Sequence, residues 1–186
     1  MDVMEALKTR RSIGKLQGDV SDDDVVALVA AAVFAPNHKL TEPWRFTSLR
    51  GEARTRLGAF WAEREAQRTR LSGGDRDAYL RREAQKPLRA PVIIVVSTVT
   101  SADPVRALED FAATAAAVQN LLLAAHAGGL GTVWRTGDMA YDPAIAAHLG
   151  LGKTERIVGF IYVGRPAMEP PPPPRRDPRN VIRALS

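Results

Sequence analysis

The sequence predicts an α/β or α+β sandwich in which helices cover a small sheet. Three observations predict it. Short apolar runs of strand length recur along the chain, and stretches of helical periodicity, not tight hairpin turns, separate them. In addition, the segment from Val105 to Ala127 is mostly Ala, Val and Leu, so burial is what accommodates it. At 186 residues the chain is long enough for one domain with a core of its own.

The elements follow in order. Asp2-Val3-Met4-Glu5 and Ser21-Asp22-Asp23-Asp24 each place a short polar residue three positions before an acid, which satisfies the orphan N–H groups of a helix start. Val25, Leu28, Val29, Ala32 and Val33 then recur on one helical face until Pro36 ends the helix. Trp44 to Leu49 alternates bulky and polar residues and reads as a strand. Residues 52–70 and 75–86 are charged and helical in pattern, broken at Ser72-Gly73-Gly74; alternating charges of this kind predict solvated faces. Pro91 to Val96 is a β-branched run, a strand buried on both faces. Gly128-Gly129-Leu130-Gly131 ends the Ala-rich helix and feeds the strand Thr132-Val133-Trp134-Arg135. Asp142 to Leu149 is a short helix closed by Gly150, and Ile157 to Gly164 is the last core strand, making about four strands in all.

Residues 1–168 are the expected domain. Residues 169–186 differ in kind: five prolines, Pro170 to Pro174, precede Arg175-Arg176-Asp177-Pro178. Such a segment favours an extended path with no core, either a loose tail or an arm lying on a partner subunit.

Composition removes whole classes of function. Cysteine is absent, which excludes disulfide scaffolds, thiolate metal sites and thiol catalysis, and three scattered histidines leave little for a metal. No run approaches the roughly 18 apolar residues of a membrane span, and the N-terminus has no apolar signal core, so a cytoplasmic protein is expected. The net charge of +5 is diffuse, with no recognition helix and no stacking aromatics, so neither nucleic acid nor membrane is expected as a partner.

Three segments can carry chemistry. Arg10-Arg11-Ser12 closes the first helix; the cations either complement the helix dipole or clamp an anion with guanidinium forks and a hydroxyl. Ala35-Pro36-Asn37-His38-Lys39-Leu40-Thr41-Glu42-Pro43-Trp44-Arg45-Phe46 makes a stiff loop between helix and strand, with Trp44 in the core. The glycines at 128–131 follow a helix and precede a strand, the reverse of a dinucleotide fingerprint, and suit backbone lying close to something flat. No Ser–His–Asp set, carboxylate pair or Walker loop is present. An enzyme of this sequence therefore leaves the hard chemistry to a cofactor.

Together, Arg10-Arg11-Ser12, the 35–46 loop, the buried helix, Gly131-Thr132-Val133-Trp134-Arg135-Thr136-Gly137 and Ile157-Val158-Gly159-Phe160 resemble the FMN-dependent nitroreductase family. The resemblance is to its short, single-domain NAD(P)H branch and covers residues 1–166 in order and spacing. It implies a three-layer α/β/α fold of the α+β class, with a small, largely antiparallel central sheet and the buried helix at the interface of an intertwined homodimer. FMN would lie at that interface. Arg10, Arg11 and Ser12 would contact its phosphate, ribityl chain and ring edge; His38 would reach it from the other subunit; Val133, Trp134 and Arg135 would complete the site, Arg135 near the phosphate. The stretch Leu123, Ala124, Ala125, His126, Ala127, Gly128 takes the place assigned to NADH or NADPH. The implied activity is an NAD(P)H oxidoreductase passing hydride through flavin N5, in ping-pong fashion, to a nitroaromatic, quinone or similar small acceptor, with no catalytic side chain. The alternative is a protein that stores, senses or modifies FMN without NAD(P)H turnover. Two departures from the family pattern stand out: Leu40 and Glu42 replace the Asn and Gln common there, and Phe34 replaces an arginine, offering an aromatic face to the ring or adenine.

Overall fold

Polar caps start the first helices where the pattern places them. In the computed structural model, which describes residues 1–171 and 174–185, helix α1 (Val3–Thr9) begins at Asp2, whose carboxylate accepts the Glu5 N–H at 2.9 Å. Helix α2 (Asp22–Ala32) begins with a reciprocal box: Ser21 Oγ accepts from Asp24 N–H, and the Asp24 carboxylate accepts from Ser21 N–H. The longest helix, α5 (Pro104–Ala127), starts on Asp103 with Pro104 in its first turn. Helices α3 (Gly51–Arg68), α4 (Gly73–Ala84) and α6 (Pro143–His148) complete the set.

Five strands form one sheet: β1 (Leu16–Gln17), β2 (Trp44–Leu49), β3 (Val92–Val99), β4 (Gly131–Arg135) and β5 (Glu155–Pro166). Strand β5 is the hub. It pairs antiparallel with β3 along Val92↔Val163 to Val99↔Glu155, with β4 along Gly131↔Gly164 to Arg135↔Phe160, and with β1 at Leu16↔Pro166 and Gln17↔Arg165. Strand β2 extends the sheet beyond β3. The one strand beyond the expected four is β1, too short at two residues for any hydrophobic period to register.

Alternation along β3 builds the three layers. Val92, Ile94 and Val96 face α2 and α5, packing with Leu28, Ala32, Val118 and Leu121. Ile93 and Val95 face the other way, onto Leu57 and Trp61 of α3 and Ile145 of α6. Each large aliphatic side chain buried this fully contributes about 1.5–3 kcal/mol. A register shift beside Val96 and Ser97 leaves Val158 of β5 unmatched, and the parity of β5 changes there. Gly159, next to that bulge, is obligatory: a Cβ would fall inside the Trp134 indole, whose N–H donates to the Val158 carbonyl at 3.2 Å.

Three expectations need correction. The Ala-rich helix is buried over Ala113, Thr114, Ala117, Val118, Leu121, Leu122 and Ala125, but Val105, Leu108 and Phe111 stand exposed on the single protomer. The charged helices are not wholly solvated: Glu83 is buried against Lys86, and Arg64 and Arg68 converge on buried Asp142. The missing side chain at Gly131 has a reason within the chain, since a Cβ there would meet Leu16 and Ile13. After β5 the chain runs exposed to residue 185 apart from half-buried Pro170, with a 3-10 turn at Pro178–Val181; residues 172 and 173 of the proline run lie outside the described residues.

Candidate functional site

Helix α1 ends on Arg10, and Ser12 then bridges in parallel to Thr132 at the start of β4, where Ile13 N–H donates to the Thr132 carbonyl. The N-terminal arginines are thereby fixed beside the sheet. The two cations divide the roles that the sequence left open. Arg11 donates through Nη1 to the Lys8 and Arg10 carbonyls, each at 2.8 Å, and so satisfies the helix end. Its Nε is buried without a partner. Arg10 has no hydrogen-bonded or ion-paired side-chain partner among the described residues. Burial, then the charges of Arg175 and Arg11, hold the Arg10 guanidinium below its usual value. Cations crowded together without an ion-paired carboxylate among the described residues form a site that an anion would relieve.

His126, in the last turn of α5, lies against this cluster. Thr9 Oγ1 donates its proton to the Glu5 carbonyl, so the contact with His126 Nε2 at 2.8 Å has the ring N–H as donor. Burial, then Arg10 and Arg11, lower the His126 titration below the ordinary imidazole value, with Glu5 opposing. Around it, Leu123 and Ala124 are half-buried, Ala127 and Gly128 are exposed, and Ala125 is sealed in the core. Ala125 therefore offers a ligand no side-chain surface.

Arg135, at the far end of β4, occupies a different place. It lies three residues beyond Thr132, about 10 Å along the strand, in a cavity of about 320 Å³ that it shares with Lys86, Arg89, Trp134 and Tyr162 and that contains none of Arg10, Arg11 or Ser12. Its guanidinium sits over the Tyr162 ring at 5.6 Å, and its Nε is buried without a hydrogen bond. Burial pushes the Tyr162 hydroxyl up to about 12 against the pull of Arg135 and Arg89, so it stays a proton donor. Val133 packs on the α3 side of the sheet, and Trp134, anchored to Val158, both shapes the cavity and supports the strand. Lys86 and Arg89 went unnoticed in the sequence. Their signal was two cations at i and i+3 in a Pro-containing turn immediately before a buried strand.

The 35–42 loop carries His38 in a 3-10 turn at His38–Leu40. His38 Nδ1 meets Glu109 Oε2 of α5 at 2.6 Å; Phe34 and Leu40 project into solvent, 86% and 81% exposed; Trp44 is buried as expected. The structure thus brings together Arg10, Arg11, Ser12 and His126 in one group, and Val133, Trp134 and Arg135 in another. His38 and Phe34 lie on the α2–β2 connection, outside both groups. No group of three potential ligands suited to a metal ion occurs among the described residues, and none of their helices is long and apolar enough to cross a membrane.

Comparison with known proteins bears on this arrangement. The model of the nitroreductase family matches residues 7–165. The chain is 30% identical over 171 residues, 91% of each chain, to YdjA of Escherichia coli (strain K12), which bears the name of a candidate NAD(P)H nitroreductase. Its fold matches the crystal structure of a nitroreductase-like family protein from Bacillus cereus with a TM-score of 0.86 and 28% identity, covering 100% of this chain and 96% of that one. A candidate nitroreductase from Desulfovibrio desulfuricans, crystallised in complex with FMN, matches with a TM-score of 0.76 at 27% identity, over 99% and 96% of the two chains.

Proposed function

The chain belongs to the nitroreductase family, and on that premise we propose that it is an FMN-dependent NAD(P)H oxidoreductase, a homodimer that reduces a nitroaromatic, quinone or similar small acceptor. One observation carries the proposal: Arg10 and Arg175 crowd together, and neither forms an ion pair with a carboxylate among the described residues. A phosphomonoester brings about −1.5 to −2 charges, and each hydrogen bond to a charged group is worth about 1.5–3 kcal/mol.

The residues present fit the prosthetic group. Arg10, with Arg175 beside it and the Ser12 hydroxyl exposed, would hold the phosphate, and the orphaned Nε of Arg135 marks the second cation-lined wall. When bound, FMN supplies the hydride acceptor and donor that the chain lacks. Arg135 and Arg89 make the cavity positive, which favours negative charge developing there on reduction, and Tyr162 keeps a donor hydroxyl in its wall. Trp61 and Trp134 supply the aromatic part of the same wall.

Support for the homodimer comes from apolar surface that one protomer leaves open: Val105, Leu108 and Phe111 on α5, Phe34 and Leu40 on the loop, and Val181, Ile182 and Leu185 on the arm. The exposed apolar end of the arm, Val181, Ile182 and Leu185, would then lie on the partner, while Arg175 stays beside Arg10 of its own chain. Phe34 and Leu40, where polar contacts are common in the family, favour the second reading, a flavin-binding protein without turnover.

One experiment separates these readings. The purified protein should show flavin absorbance, and anaerobic NADH or NADPH should bleach it. Colourless protein that takes up no FMN would overturn both; a flavin that resists bleaching by either nucleotide would select the second.

A further inference from the structure

We propose that the cavity around Arg135 is a binding site for aromatic carboxylates. This deepens the oxidoreductase reading by giving its acceptor an acidic group, and it rests on that reading only for the acceptor's turnover. The cavity's volume of about 320 Å³ suits a single substituted ring, at the lower end of small-molecule sites, which run from about 300 to 1,000 Å³.

The charge comes first. Lys86 and Arg89 stand three residues apart in the 3-10 turn Lys86–Arg89, which sets both on one side. Glu83 takes Lys86 as an ion pair, so that cation is already balanced. Arg89 and Arg135 form no ion pair among the described residues, and no acid lines the cavity. Two uncompensated guanidiniums remain, and the fork of each matches the paired oxygens of a carboxylate.

Tyr162 adds an independent observation. Pairing of β4 with β5 sets Val133 opposite Tyr162, so Arg135, two residues along, shares its face of the sheet. Tyr162 is 1% exposed and lines the cavity, yet its hydroxyl has no hydrogen-bond partner among the described residues. A buried hydroxyl left unpaired costs free energy that an acceptor atom of a ligand would recover. Burial keeps that hydroxyl protonated, and guanidiniums only donate, so one oxyanion satisfies all three groups. Trp61 and Trp134 then decide the rest of the ligand. Their indoles face the same space, and an aromatic ring joined to the carboxylate would lie against them, whereas a bare phosphate would leave them without a partner.

The test reads binding first. In calorimetry on the protein as purified, benzoate should bind at least about tenfold more tightly than benzyl alcohol, and more tightly than inorganic phosphate. Arg135→Gln should weaken benzoate by about tenfold to a hundredfold, down to the alcohol's affinity. Tyr162→Phe keeps the ring beneath Arg135 and should cost about threefold to tenfold. Arg89→Gln, on an exposed turn, carries the same test should Arg135→Gln fail to fold. Equal affinity for acid and alcohol, phosphate binding as tightly as benzoate, or variants that bind benzoate as the wild type does would each overturn the site.

The second arm reads turnover. Reduction of 4-nitrobenzoate to its nitroso acid consumes one NAD(P)H and one proton and releases one water. It should proceed with a kcat/KM at least about tenfold above that of 4-nitrobenzyl alcohol, and Arg89→Gln should remove the preference. Equal values overturn the acceptor class. Wild-type protein that neither nucleotide bleaches overturns the oxidoreductase reading and the acceptor claim with it, while benzoate binding stands or falls by calorimetry alone.

Discussion

Two arginine clusters of similar size sit on this molecule. Arg64 and Arg68 on α3 converge on Asp142, which is buried, with Arg64 Nε and Arg68 Nη2 donating to the same carboxylate oxygen at 2.8 and 2.9 Å. Burial alone would raise the Asp142 carboxyl, but the hydrogen bonds from Arg64 and the Ala144 N–H, with the charges of Arg64 and Arg68, outweigh it and hold the group below its usual value. Arg10, Arg11 and Arg175 gather with no ion-paired carboxylate among the described residues, and their mutual repulsion helps to hold Arg10 below its own usual value. The first cluster is neutralised inside the chain and fastens α3 to the cap of α6. The second is balanced only by something outside it. Paired cations here are architecture; unpaired ones are the candidate anion site.

The sharpest way to break this contrast is at Asp142. Asp142→Ala leaves two arginines facing a buried void and removes the α6 cap, so urea denaturation should show a loss of about 3–5 kcal/mol, while the FMN affinity of the folded protein stays the same. A loss below about 1 kcal/mol would mean that the pairing is surface decoration. Because the folded carboxyl is depressed, its contribution is complete above the unfolded Asp value and disappears as pH falls through the folded one. Arg10→Gln should do the opposite. It should weaken FMN binding by about tenfold to a hundredfold, read by fluorescence titration, with the urea midpoint unchanged or slightly raised as one repelling charge goes. Unchanged affinity with reduced stability would make Arg10 a helix cap like Arg11.

The same contrast explains what the sequence could disclose. The caps at Asp2 and Ser21 and the helix start at Asp142 are local chemistry within a few residues, and the β-branched run around Val92 needs no distant partner to declare itself. Arg64 and Arg68 looked like a solvated face because their counter-charge lies more than seventy residues away, with intervals of 78 and 74. Glu109 was invisible for the same reason: nothing in α5 announces that an acid will meet a histidine 71 residues earlier. The candidate segments Arg10–Ser12 and Val133–Arg135 were legible as a family pattern, but their separation along β4 was not. It follows from the parallel bridge between Ser12 and Thr132, which no periodicity encodes.

The smallest expected effect is also the most local probe of the unpaired cluster. His126 is held below the ordinary imidazole value by burial and then by Arg10 and Arg11. The unfolded chain therefore binds its proton first, and stability should fall as pH drops from about 6.5 toward the folded value, then level off. Above that window the ring is neutral in both states and contributes nothing. His126→Gln should flatten this part of the stability profile. An anion on Arg10 would cancel much of the arginine contribution while leaving the burial in place, so FMN or inorganic phosphate should raise the His126 midpoint in an NMR titration, and Arg10→Gln should raise it without any ligand. A midpoint that ignores both ligands but responds to Arg10→Gln would put the arginine beside the histidine and the phosphate elsewhere, dissolving the difference between the two clusters.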